Sequence, residues 1–519
     1  MTGQYPISTK WIIWAVVLPV AFVLGFLLAT PQDLGSWAVV LLVIGVLLLP
    51  VFLKWHYPLL IFAWNAAVVI PFMPGTPSLW MGMACGSLFM SVLAYVMDRQ
   101  NRMQFFKPFN VTLFLVVMVI LITAKITGGL GVKTLGGSTY GGRRYYTLIL
   151  AVVGFYAVSC RRIPRAKAPL YMALYILSGL TIALGNFAYL AGESFWWLFN
   201  IFPVDYVMNQ ATEDFQEGAN TLKFGRLAGL TWAGLAVFCW MLTKYGLMGI
   251  LDTNRPWRGV GSLLLFGISL MGGFRSIVVI YILLILTQSF LEKLHRTRLM
   301  PVMLITGVLF YIALIPTAGL LPLSVQRSLT VLPFVQVNPL AMADAKMSTD
   351  WRLRMWEVVL KEEVPNHILI GKGYTASATD YWLSMEAFRR GYTADFEMSV
   401  IAGDYHNGPL SILIPFGIWG VLAIGAFLYV AGQSLWRNYR YGDPELHRIN
   451  TFLLAYFWAR LLFFMTVFGG ISMDFWHFAG IAAMSLALNH GVGKPGERAA
   501  RPEPEGLPEG AAEPAEAAV

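Results

Sequence analysis

The chain has 519 residues, 57% of them hydrophobic and 13% charged, with a formal net charge of +9. Its apolar residues stand in long unbroken runs, which excludes a soluble globular protein; barrel strands would alternate, so the pattern predicts an all-α polytopic membrane protein. The positive charge belongs to the loops between those runs and makes no case for nucleic acid.

A helix crossing the hydrocarbon layer needs about 20 mostly apolar residues. Fourteen stretches approach that pattern. Residues 11–30, 37–53, 57–73, 79–97, 109–124, 145–160, 168–186, 227–243, 258–271, 276–290 and 299–318 give eleven spans within 1–318, and 409–435, 451–468 and 475–489 give three more within 409–490. The first has no small-residue cleavage site and reads as an uncleaved anchor. Basic residues gather in DRQNRMQFFK, CRRIPRAK, EKLHRTR and WRNYRYGDPELHR, whereas PQDLGS, MPGTPS and GGISMD have none. The positive-inside rule then places both termini in the cytoplasm. One exported turn, KITGGLGVKTLGGSTYGGRR, carries four basic residues against that rule. Cys85 and Cys239 fall inside spans and Cys160 at a span end, so no disulfide framework supports the exported loops.

After the seventh span, ESFWWLFNIFPVDYV has the aromatic content of a membrane interface. Residues 319–408 form the large exported loop, long enough to be functional rather than connective. Within it, DWRLRMWEVVLKEEV predicts a helix with Asp350 as N-cap. Leu353, Trp356, Val359, Leu360 and Val364 would make one apolar stripe, with Arg352 beside Trp356 on the packed side and Arg354 pointing to water. Residues 491–519, rich in Gly, Pro, Ala and Glu, predict a disordered cytoplasmic tail.

Three ionisable residues fall on the predicted outer side. His406 precedes Asn407 and Pro409, which suit the cap and first turn of the next span, so the imidazole would sit at a helix N-terminus, kept neutral and able to act as a general base beside an anion. The plain alternative is an interfacial histidine bonded to a loop carbonyl. Arg275 follows a tight Gly-Gly hairpin after a run of about 14 residues, or about 20 Å at 1.5 Å per residue, and would be held below the surface. No Asp or Glu lies in any predicted span, so its partner is either a ligand or lipid headgroups. Arg352 either joins them or pairs with Glu357 or Asp404. Two arginines can grip a diphosphate bidentately and stabilise it as a leaving group without a metal. Arg460 and His477 rank lower, as a carbonyl-paired or cavity-lining arginine and an interfacial histidine. No Cys/His or acidic cluster has metal-ligand spacing, and neither metal nor cofactor is expected.

His406-Asn407 followed after nine residues by Gly417-Ile418-Trp419-Gly420 resembles a motif of the bacterial O-antigen ligase and O-antigen polymerase superfamily. GGFRSIVVI resembles its Ser-Arg-Gly segment, with Arg275 at the arginine position and Phe274 where serine is usual. RLRMWEVVLKEEVPNHILIGKGY resembles its Arg-x3-Trp helix and Gly-x-Gly turn, matching Arg352, Trp356, Gly371 and Gly373. The resemblance covers about residues 260–440. It implies an inverting glycosyltransferase of the bacterial inner membrane that moves a glycan from an undecaprenyl diphosphate carrier, at the periplasmic face, to lipid A core, to another lipid-linked glycan, or to protein. On that reading His406 is the base, Arg275 and Arg352 hold the diphosphate, and Asn407, Trp356 and Arg354 support them. A lipid-linked glycan flippase or transporter and a non-catalytic envelope scaffold are the competing classes; intramembrane acids or paired broken helices would favour transport.

Overall fold

The computed structural model describes residues 14, 17–23, 25–26, 34–71, 73, 75–97, 103–131, 139–203, 226–390 and 396–495. Parts of the first predicted span, of the loop after the seventh, and the tail from 496 lie outside them. Two compact units divide the chain, Met1–Leu59 and Leu60–Val519. Helix α1 (Leu34–Asn65) replaces the two spans expected at 37–53 and 57–73. The intervening Lys54-Trp55-His56-Tyr57 contains no turn-forming residue, and Pro50 and Pro58 are both carried inside the helix.

The second unit holds α2 (Leu79–Met97), α3 (Lys107–Thr127), α4 (Gly142–Ser159), α5 (Ala168–Leu177), α6 (Ile182–Ala191), α7 (Ala228–Ile250), α8 (Trp257–Leu270), α9 (Arg275–Leu291) and α10 (Leu299–Thr317). The short α11 (Leu323–Leu329), the 20-residue α12 (Pro339–Val358) and the shorter α13 (Ala378–Arg389) and α14 (Glu397–Ala402) follow, with a single turn at Val364–His367 between α12 and α13. The chain then returns to the bundle through α15 (Gly408–Tyr441), α16 (His447–Thr466) and α17 (Ile471–Asn489). Among the described residues eight helices are long and apolar enough to cross a membrane, and α8 and α9 are shorter apolar ones. The fold is that of an all-α membrane protein. One antiparallel pair of two-residue strands, β1 (Thr139–Tyr140) with β2 (Ala376–Ser377), pins the loop region to the start of α4.

α17 is the most enclosed of these helices and packs against α4 and α15; α15 packs in turn on α3 and α16, and α16 on α9 and α7. Phe109, Phe155, Phe427 and Phe475 from four of these helices meet with ring centroids 5.0 to 6.4 Å apart, all but sealed from solvent. Edge-to-face and tilted contacts of this kind add to the area they bury.

The helix predicted from Asp350 starts eleven residues earlier. Asn338 is its cap, accepting from the Leu340 amide at 2.9 Å, and Asp350 lies inside α12. The intervening stretch is alanine-rich, with enough helix propensity to extend it backwards. Of the expected stripe, Val359 is fully buried and Trp356 and Val364 pack beside it, whereas Leu353 and Leu360 are 55% and 54% exposed; Met355, also fully buried, joins Val359, Phe396, Tyr405, Leu410 and Ile414, with Trp351 packed on that cluster. A π-helical turn at Val359–Glu363 shifts the register of everything after it.

Candidate active site

The matched glycines do their work through backbone. At Gly417 the helix α15 breaks, with φ +63° and ψ −165°. The break frees the carbonyls of Ile414 and Pro415, which accept from the amides of Lys372 (2.8 Å) and Gly373 (3.0 Å), while the Ile418 amide donates to Ile368 at 2.8 Å. A Cβ at Gly371 would lie 2.0 Å from the Pro415 oxygen, and one at Gly417 2.5 Å from the Leu369 oxygen. These contacts clamp the segment 368–373 along the first turns of α15 and so fix the helix end that carries His406.

Asn407 caps that end as expected, its side chain accepting from the Leu410 amide at 3.1 Å, with Pro409 in the first turn. The chain reaches the cap through a sharp turn in which His406 itself has φ +49°, a region non-glycine residues rarely occupy. Two contacts hold the turn. The Trp356 indole donates to the Tyr405 carbonyl at 2.7 Å, and the His406 ring lies between Trp351 and Phe468, at 5.4 and 5.1 Å.

The two arginines arrive from different elements. Arg275 opens α9 directly after the Gly272-Gly273 turn, and its guanidinium donates to the Thr349 hydroxyl at 2.7 Å. Thr349 sits one turn before Arg352 on α12, and the Arg352 guanidinium lies 5.7 Å over the same Phe468 ring that His406 touches. Arg275, Arg352 and His406, spread over 131 positions of the sequence, therefore meet at one face of the bundle. Arg354 points away and is exposed, as its helical phase predicts.

Sequence reasoning missed one member of this cluster, Arg327, and named another, Asp404, only as an alternative partner of Arg352. Arg327, on α11, is buried; it pairs with Asp344 and donates to the Gly273 carbonyl, tying down the turn that presents Arg275. Asp404 places Oδ1 3.7 Å from His406 Nδ1, an ion-pair separation too long for a hydrogen bond. Nδ1 is enclosed without a hydrogen-bond partner, while the ring keeps 24% of its side-chain surface open. The interfacial-histidine alternative required a loop carbonyl on the ring, and among the described residues none is bonded there.

Three guanidinium groups face two carboxylates here, an excess of positive charge in a half-buried setting. Burial pushes the Arg352 pKa down, Arg275 and Arg327 reinforce the shift, and Asp404 opposes it. The same imbalance acts on His406: burial lowers its pKa, Asp404 opposes this, and Arg352 adds to it. A neutral imidazole beside under-compensated guanidiniums can accept a proton while an anion is held next to it.

Arg460 finds a partner that the predicted span limits concealed. Asp474, one residue before the span expected at 475–489, lies in the first turn of α17 and accepts from Arg460 at 2.7 Å. An acid is thus present in an apolar helix after all, at the end facing the candidate site. The chain matches no protein-family model and no curated protein.

Proposed function

We propose that the protein is an inverting glycosyltransferase of the O-antigen ligase or polymerase type, acting at the periplasmic face of the bacterial inner membrane. The convergence of Arg275, Arg352 and His406 carries this reading. His406 takes the proton of an acceptor sugar hydroxyl; the hydroxyl oxygen bonds to the donor anomeric carbon from the face opposite the leaving group. The bond from that carbon to the diphosphate oxygen breaks, and undecaprenyl diphosphate departs with the electron pair. Arg275 and Arg352 bind the diphosphate and stabilise its growing charge. The charge of Asp404, 3.7 Å from Nδ1, favours the tautomer that carries its proton on Nδ1 and leaves Nε2 to act as base.

An apolar groove of ≈ 780 Å³ between α15 and α16 starts at Pro409, three residues from His406, and extends to Trp436. A polyprenyl tail lying there would keep its diphosphate at the arginines. If α1 crosses once the fourteen spans become thirteen, and with residues 319–408 exported the C-terminus stays cytoplasmic while the N-terminus, expected inside, is exported as well. Lipid A core, a second lipid-linked glycan and protein remain the acceptor classes on this reading.

The decisive measurement is transfer by purified protein from a lipid-linked oligosaccharide. General-base catalysis contributes about 10²- to 10⁴-fold, so His406→Ala should lose a rate in that range while still binding donor. Turnover at the wild-type rate would remove the assignment. A product ladder identifies a polymerase and a single shift a ligase. One observation favours the transporter class, the Arg460–Asp474 pair inside apolar helices; flux of lipid-linked glycan in proteoliposomes without a new glycosidic bond would support it.

A further inference from the structure

Helix α10 stands off its neighbours, with no buried residue along its whole length. Between it and α7, α8 and α9 lies an apolar cleft of ≈ 590 Å³ that runs from Leu299 to Leu314 along α10 and has no charged residue in its lining. At 1.5 Å per residue it is about 22 Å long, more than the roughly 15 Å of hydrocarbon in one leaflet. Its Leu299 end lies away from the candidate site, where α7 and α9 stop and α16 starts. There it adjoins a polar pocket of ≈ 670 Å³, and Leu251, Thr253 and Leu299 line both. Thr253 is exposed, so a molecule lying along the outside of the bundle passes from pocket to cleft over a shared rim.

The pocket holds charges of both signs that do not meet. Asp252, Lys293 and Arg448 line it, and among the described residues neither cation lies within ion-pair distance of an acid. Asp252 accepts from the Asn254 amide at 3.0 Å through one oxygen, and Arg448 makes one long bond of 3.5 Å to the Lys244 carbonyl. Glu292, the other acid, is already engaged, its oxygens accepting from the Leu247 and Met248 amides and the Gln288 side chain at 2.6 to 2.9 Å. His447 completes the ionisable lining, stacked on Tyr439 at 5.4 Å. A simple anion would leave Asp252 facing it, and a simple cation would leave Lys293 and Arg448. A ligand carrying both a phosphate and an ammonium answers all three. The cleft beside it calls for hydrocarbon, since walls without a partner forfeit their dispersion contacts. A polyprenyl tail held from the other end would have its phosphate where the lining is Val278, Leu314 and Leu332, with no cation.

We infer that pocket and cleft together bind one zwitterionic phospholipid from the leaflet opposite the candidate site. Its phosphate lies at Lys293 and Arg448, its primary ammonium at Asp252, and one acyl chain runs along α10, supplying the packing that this helix lacks. The site is independent of the transferase reading and stands or falls without it.

The full chain, purified in detergent and stripped of lipid, is titrated with phosphatidylethanolamine, phosphatidylglycerol and phosphatidylcholine of identical acyl chains, and bound lipid is counted by native mass spectrometry. Phosphatidylethanolamine should occupy one tight site per chain. Its affinity should exceed by about tenfold that of phosphatidylcholine, whose quaternary ammonium has no N–H to donate, and that of phosphatidylglycerol, which has no ammonium. Lys293→Gln or Arg448→Gln should weaken the site about tenfold. Asp252→Asn, which keeps an acceptor for the Asn254 amide, should erase the preference among the three. Gly307 lines the cleft, and a Cβ there meets nothing within 4 Å, so Gly307→Phe should fill the cleft, keep the wild-type unfolding temperature and lose the tight site. Equal affinity for the three lipids, tightest binding of phosphatidylglycerol, or a preference that survives Asp252→Asn overturns the proposal, as does a tight site that survives in folded Gly307→Phe protein. So does soluble glycerophosphoethanolamine competing as well as the lipid, which would leave the chains no part, or a Gly307-dependent site that undecaprenyl phosphate fills in preference to all three.

Discussion

At His406 two neighbours pull in opposite directions, and each leaves a separate mark on the pH profile. The imidazole must be neutral to accept a proton, so activity is absent below its pKa and present above it. Burial and Arg352 lower that pKa, so the acid limb of kcat/KM should lie below the position of a solvated histidine, with activity complete through neutrality. Removing Arg352 in Arg352→Gln takes away a lowering influence and should move the limb up; Asp404→Asn takes away a raising one and should move it down. Limbs that stay put in both variants would separate His406 from the titration. Arg275→Lys keeps the charge but loses the bidentate fork, and a loss of rate of about 10²-fold with unchanged thermal stability is expected. Arg327→Gln should instead lower the melting temperature, because its tie to the Gly273 carbonyl is structural. His406, Arg275 and Arg352 were legible because each sits at the margin of an apolar run, where an ionisable group is conspicuous. Arg327 was not, since its partners are a carbonyl 54 positions away and a carboxylate on the next helix. Asp474 was concealed by a span limit drawn one residue late.

Among the elements, α15 shows why a helix that carries a site is broken. An unbroken helix would keep Ile414 and Pro415 carbonyls in its own ladder and offer nothing to the 368–373 segment. Alanine at Gly417 would have to hold φ +63° with ψ −165°, a region essentially reserved for glycine, at about 1–3 kcal/mol, and would also press its Cβ on the Leu369 oxygen. Gly417→Ala should therefore lower both stability and transfer rate. Gly425→Ala, in the same helix with open space around it, should leave stability intact or raise it slightly. Equal effects at the two positions, measured by thermal unfolding in detergent, would contradict the clamp. Asn407→Ala removes the helix cap at about 1 kcal/mol. The motif spacing was visible in sequence as a pattern, but its physical content was not: Gly417 reads as a turn former, and only the pairing with Lys372 and Gly373 explains its place. Apolar runs likewise located α3, α9 and α16 closely and α7 except for its last two turns, while the start of α12 and the continuity of α1 depended on propensity and on the absence of a turn, both weaker than a run of apolar residues.

On the scale of the whole molecule the candidate residues share one end of the bundle, and the proposed function requires that end to be the exported one. The short connections at the opposite end carry Arg161, Arg162, Arg165 and Lys167 between α4 and α5, Arg255 between α7 and α8, and Lys293, Arg296 and Arg298 between α9 and α10. Of those at the site end, Ala66–Ser78, Met271–Phe274 and Val467–Gly470 have neither Lys nor Arg, whereas the α3–α4 connection carries Lys133 against the rule. Long loops cross regardless of charge, so the basic residues within 319–408 do not count against the asymmetry. With Cys85, Cys160 and Cys239 replaced, a single cysteine at Met347, 64% exposed on α12, should react with a membrane-impermeant maleimide in cells with a permeabilised outer membrane. One at Asn254, in the α7–α8 connection, should react only after lysis. The reverse pattern would put the arginines and His406 in the cytoplasm, where an exported lipid-linked glycan cannot reach them, and the transferase reading would fail on access alone, whatever the chemistry of the residues.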